Sequence, residues 1–104
     1  MNKLSREAEI LQLLQNVFQR EHARLGAHRV VLFGSRARGD ARPRSDFDVA
    51  VVGATPLPLA DFYQLADQIE KIPTLYKIDW VDLARTSPKF QQSALQHQKV
   101  IYEA

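Results

Sequence analysis

Apolar positions along this chain change period several times, and each change marks an element. Ile10, Leu13, Leu14, Val17 and Phe18 recur at i, i+3, i+4, i+7 and i+8, the single stripe of an amphipathic helix. The spacing predicts a helix over 4–25, stopped by Gly26. The run 29-RVVLF-33 is β-branched and aromatic and ends at a glycine, which predicts a buried strand. Residues 34–45 break the pattern with two glycines, a proline and many charges, and so predict a turn and an exposed loop. A second strand is expected over 46-DFDVAVVG-53, closed by Gly53.

The prolines of 54-ATPLPL-59 predict a linker. Helical spacing returns over 60–72 through Phe62, Leu65, Ala66 and Ile69, and Pro73 ends it. A third strand is expected over 77-KIDWVDL-83. Ser87-Pro88 then supplies an N-cap and a first-turn proline for a helix carrying Phe90 and Leu95. A short edge strand at 100-VIY-102 completes the order α-β-β-α-β-α-β. That order predicts an α/β (α+β) fold, a small mixed sheet backed by helices, and a single domain over 1–104.

Composition narrows the class without naming a chemistry. An apolar content of 45% suits a globular domain, and no stretch approaches the ~20 apolar residues of a membrane span. The opening MNKLSREAEI is charged and lacks a signal-peptide core, and there is no cysteine, so a cytoplasmic location without a membrane partner is expected. The net charge is only +2, but Arg29, Arg36, Arg38, Arg42 and Arg44 crowd sixteen residues in which Asp40 is the only acid. Arginine suits bidentate contact with phosphate; a solvated loop is the plainer alternative.

The candidate chemistry begins beside that cluster. Strand alternation puts Asp46 and Asp48 on one face, about 6.5–7 Å apart along the strand, while Phe47, Val49 and Val51 point the other way. Two carboxylates this close raise each other's pKa unless a cation lies between them, and Mg²⁺ is commonly shared by one or two carboxylates and substrate phosphates. Asp-x-Asp alone is weak, since most such pairs are solvated strand ends. Gly34-Ser35 supports it: a glycine after a strand lets phosphate approach main-chain N–H groups, and the serine adds a hydroxyl. Asp79 and Asp82 are candidates for a third carboxylate. With Ile78 and Trp80 toward the core, Asp79 faces the Asp46–Asp48 side, and Asp82 is the alternative at the strand end.

Gly34-Ser35, ten residues, Asp46-Phe47-Asp48 and a later Asp79 together resemble the signature of the DNA polymerase β nucleotidyltransferase superfamily. The match is strongest with its minimal nucleotidyltransferases, whose motif GSRARGDARPRSDFDVAV resembles throughout, including Arg36, Arg38, Gly39 and Ser45. The resemblance implies a nucleotidyltransferase-like fold and a metal-dependent transfer of a nucleoside monophosphate, AMP from ATP in the first instance, to a hydroxyl with release of pyrophosphate. It implies two Mg²⁺ ions, with Mn²⁺ as a substitute, held by Asp46, Asp48 and Asp79. Gly34, Ser35, Arg36, Arg38 and Ser45 would bind the nucleotide phosphates, although Arg36 and Arg38 could equally brace the loop. It further implies a HEPN-domain partner in a toxin–antitoxin pair, with this chain as antitoxin. The short edge strand at 100–102 is itself expected to be buried in a homodimer or hetero-oligomer.

A different class of function competes: an antitoxin that keeps the nucleotide site but neutralises its partner by contact. A nucleic-acid binder using the arginine loop ranks below both, because it leaves three placed aspartates unexplained. P-loop and Rossmann glycine patterns are absent. Position 51 of an EF-hand reading holds valine where glycine is needed. His22, His28 and His97 have no metal-ligand spacing and are expected at the surface or half-buried.

Overall fold

The computed structural model describes residues 5–104; Leu4, where the first helix is predicted to start, lies outside them. Helix α1 spans Arg6–Arg20, and the Ser5 hydroxyl caps it by accepting the Ala8 N–H at 3.1 Å. The predicted helix to residue 25 is interrupted. Glu21 leaves helical geometry (φ −101°, ψ 23°) and a one-turn helix α2, His22–Leu25, follows. Arg24 bonds Glu21 at 3.0 Å and Asp61 at 3.1 Å across this corner.

Strands β1 (Arg29–Phe33) and β2 (Phe47–Val52) pair antiparallel. Between them the predicted loop contains one further turn of helix, α3 (Ser35–Arg38), entered through Gly34 at φ 73° and left through Gly39 at φ 86°. Both angles lie where side chains with a Cβ are strained, so the glycines that read as loop punctuation delimit a helix. Helix α4 (Leu59–Glu70) carries the chain to β3 (Ile78–Asp82), which lies parallel to β2. The predicted third strand stops one residue early. Asp82 Oδ1 accepts the Ala84 N–H at 3.2 Å and turns Leu83–Arg85 into a 3-10 turn. Helix α5 (Pro88–Gln96), capped by Ser87, and strand β4 (Lys99–Tyr102) close the described chain. The sheet order is β3-β2-β1-β4, a mixed four-stranded sheet with helices, as expected from the sequence.

The sheet's two faces are unequal. On one, Val30, Leu32, Phe47, Val49 and Val51 are fully buried against Leu14, Val17 and Phe18 of α1 and Leu65 and Ile69 of α4. Trp80 joins this face, stacked between Phe18 (5.5 Å) and Phe62 (5.4 Å) with its indole N–H donated to the Phe62 carbonyl at 3.0 Å. The other face is a smaller cluster of Val31, Phe33, Ala50, Leu83 and Ala94, covered by α5. Phe33 pairs with Asp48 in register, so the smaller cluster ends where the carboxylates begin. No helix among the described residues is long and apolar enough to cross a membrane.

Candidate active site

Side-chain alternation sets Asp48 and Asp79 on one face of the sheet, while Asp46, expected inside the second strand, falls outside it. The β2–β3 register sets Phe47 against Ile78, Asp48 against Asp79 and Val49 against Trp80. Asp48 and Asp79 are therefore neighbours on the face opposite the main core. Asp46 lies just ahead of β2 rather than within it. The ladder opens at Phe47, whose N–H donates to the Lys77 carbonyl at 2.9 Å, and Asp46 is exposed at the mouth of the strand. Beside it a cleft of about 470 Å³ runs between Arg6, Arg44, Tyr76 and Lys77.

Asp48 is the electrostatic centre. Partial burial pushes its pKa up from the ordinary 3.8, the negative charges of Asp79 and Asp46 push it further, and a hydrogen bond from its protonated form to Asp79 adds to this; Arg38 alone pulls the other way. Asp79 keeps a partial counter-charge from Lys77 Nζ at 3.5 Å, a pair open to solvent and so weak. An anionic pair held side by side, half-exposed and under-compensated, is chemically a receptor for a hard cation. The donor set thus fits a divalent metal, although among the described residues no three carboxylate, His or Cys side chains already converge on one point. The exposed Asp46 would complete such a set.

Gly34 packs directly against Asp48. A Cβ built there would overlap Asp48 Oδ2 and stand 3.0 Å from Asp48 Cγ. The sequence assigns this glycine to phosphate approach; the structure adds that the Asp48 carboxylate itself occupies the space a side chain would take. Ser35 opens α3 and is half-buried, and the Ala37 and Arg38 N–H groups of this turn donate to the Gly34 carbonyl at 3.1 and 3.0 Å. The Ser45 hydroxyl accepts the Arg42 N–H at 2.9 Å and so serves the loop in this structure. Arg38 is exposed and pairs with Asp40 at 3.3 Å.

Two residues differ from the other candidates. Asp82 is buried, accepting the Leu57 N–H at 2.8 Å and the Ala84 N–H at 3.2 Å, with Arg85 Nε at 3.7 Å. It holds the linker to the end of β3 and faces away from Asp48. Arg36 is also buried, and its guanidinium turns inward to the loop carbonyls and to Glu7. Glu7 and Tyr76, both packed on Arg36, carry no local signal in the sequence.

The family model described as polymerase β, nucleotidyltransferase matches residues 6–104. The chain belongs to this nucleotidyltransferase family. Among characterised sequences it is similar to Probable protein adenylyltransferase MntA of Haemophilus influenzae, at 32% identity over 60 residues, 58% of this chain and 53% of that protein. The chain thus spans about half the length of the curated relative it matches. Its fold is similar to that of a minimal nucleotidyltransferase (TM-score 0.58, 28% identity, covering 88% of this chain and 92% of the other). It is similar also to a toxin–antitoxin structure with AMP-PNP (TM-score 0.63, 24% identity, covering 86% and 73%). A third likeness is to the complex of tri-AMPylated Shewanella oneidensis HEPN toxin with MNT antitoxin (TM-score 0.60, 23% identity, covering 90% and 73%). At these identities the last two establish the fold.

Proposed function

We propose that this nucleotidyltransferase moves AMP from ATP to a hydroxyl on a HEPN-type partner polypeptide and thereby acts as its antitoxin, with 1–104 as one catalytic module. The carrying observation is the side-by-side placement of Asp48 and Asp79 on parallel strands, with Asp48 packed against Gly34 of the Gly34-Ser35 turn. Similarity to MntA supports a protein acceptor, and likeness to antitoxin folds supports the pairing.

In this reading Asp46, Asp48 and Asp79 hold Mg²⁺, or Mn²⁺ in its place, as two ions. When bound, the metal neutralises the phosphates and lowers the pKa of the attacking hydroxyl. Gly34 and Ser35 seat the phosphate oxygens, and Arg38, exposed at the end of α3, supplies further positive charge. The acceptor oxygen bonds to the α-phosphorus as the bond to the bridging oxygen breaks. Pyrophosphate leaves, and the acceptor proton passes to the Asp79 carboxylate. Most of the rate comes from positioning and charge neutralisation, as in phosphoryl transfer generally.

A contact-only antitoxin is the second reading, favoured by the absence of a ready three-carboxylate cluster among the described residues. Incubating the chain with α-labelled ATP, Mg²⁺ and a HEPN-type protein separates the two. Label on a partner side chain, lost with Asp48→Asn, supports transfer. Neutralisation of the partner by the unlabelling Asp48→Asn variant supports contact alone.

A further inference from the structure

We propose that Arg36 is a positioning residue that fixes Asp46 against the phosphate-binding turn, rather than a phosphate ligand. The inference rests on the transferase reading above.

All three guanidinium nitrogens donate to groups of the chain itself. Nε and Nη2 both donate to the Ser45 carbonyl, at 3.1 and 2.7 Å, Nη2 also approaches the Pro43 carbonyl at 3.3 Å, and Nη1 donates to Glu7 Oε1 at 3.1 Å. The planar group lies 4.1 Å over the Phe47 ring and 5.2 Å from the Tyr76 ring, and these two rings meet edge to face at 5.5 Å. The side chain is 7% exposed, which leaves little surface for a phosphate oxygen.

Two of these partners flank one residue. Ser45 precedes Asp46 and Phe47 follows it, so Arg36 grips the backbone on one side of Asp46 and the side chain on the other. Asp46 has no ladder hydrogen bonding of its own to hold it, because β2 starts at Phe47. Arg36 stands two residues after Gly34, in the helical turn whose N-cap glycine packs against Asp48. One short helix therefore sets both carboxylates: Gly34 leaves room for Asp48, and Arg36 fixes the approach of Asp46. The fork geometry is needed, because only a planar guanidinium can bond two carbonyls and a carboxylate while stacking on an aromatic ring.

The test is calorimetric titration of AMP-PNP into the full chain at graded Mn²⁺ concentrations, with the fold followed by near-ultraviolet circular dichroism. Arg36→Lys keeps the charge and loses the fork. It is expected to raise the Mn²⁺ concentration needed for half-maximal binding by about 10-fold, the usual scale for losing a partner that orients metal ligands, while metal-free nucleotide binding stays unchanged. Glu7→Gln, which bonds Arg36 and is not among the proposed metal ligands, is the milder second variant. It is expected to move the same midpoint in the same direction by less. A loss in Arg36→Lys that persists without metal and deepens from AMP to ADP to AMP-PNP, with Glu7→Gln silent, would overturn the proposal in favour of direct phosphate contact. Absence of any Mn²⁺-dependent binding by the wild type would instead overturn the transferase reading itself.

Discussion

Gly34 and Asp48 share one space: the hydrogen on the Gly34 α-carbon stands where a methyl group would collide with the Asp48 carboxylate. The glycine also sits at φ 73°, so alanine there meets strain and overlap together. Gly34→Ala is expected to lose Mg²⁺-dependent AMP-PNP binding while the chain still folds with a lowered Tm. Gly39→Ala, strained at φ 86° but with nothing within 4 Å, is expected to lower Tm with binding kept. Parallel melting and titration of the two variants separates backbone strain from collision at the site.

Asp48 gives a pH dependence of known sign. Its raised pKa means the native state holds this proton more tightly than the unfolded chain does, so its stabilising contribution is complete below pH 3.8, the ordinary value, and is lost as pH climbs through the raised native value. At neutral pH the ionised group opposes folding. Asp48→Asn is expected to melt higher than wild type at pH 7, with the difference shrinking toward pH 3.5. Mn²⁺ is expected to raise the Tm of wild type and leave that of the variant unmoved.

Asp79 and Asp82 should respond in opposite ways. Asp79 is half-exposed with one weak cationic partner, so Asp79→Asn is expected to change stability by no more than about 0.5 kcal/mol by urea unfolding and to abolish AMP transfer. Asp82→Ala strands the Leu57 and Ala84 N–H groups and is expected to cost about 2–3 kcal/mol by urea unfolding, with nucleotide binding retained by the folded fraction. Transfer surviving in Asp79→Asn would move the catalytic role elsewhere.

Arg38 tests the long-range field. It is exposed, yet it is the one group that pulls the Asp48 pKa down. Arg38→Gln is expected to leave Tm unchanged, to weaken AMP-PNP binding severalfold at low salt, and to lose that difference at about 1 M salt, where screening reaches ~3 Å. A salt-independent loss would indicate a direct contact.

How far the sequence could be read follows from what kind of rule each feature obeys. Strand alternation is rigid, so parity put Asp79 on the face of Asp48 and Trp80 on the core face, while the register that sets Asp79 opposite Asp48 came from the structure. The capping of α5 by Ser87 and Pro88 was equally legible, because those residues act on their own backbone. The break at Glu21 was not, since the apolar stripe of α1 simply continues past it in sequence. Helix α3 was hidden because four residues carry no period and its bounding glycines read equally well as loop. Arg36 was ambiguous for a deeper reason. Its destination depends on Glu7, Pro43, Ser45, Phe47 and Tyr76 arriving together from three separate segments, and nothing in its neighbours announces that.

The alignment of β3 on β2 has a further consequence. Sliding β3 by two residues would preserve its faces and set Lys77 opposite Asp48 in place of Asp79, a pairing that charge alone would prefer. The observed alignment is kept instead by shape: Phe47, Val49 and Val51 are sealed into the main core, and Trp80 is wedged between Phe18 and Phe62. The strand is therefore frustrated by design of its function, holding two like charges together in a place chosen by its aromatic packing. In the proposed reading, relief of that conflict comes from outside the polypeptide, with a bound cation.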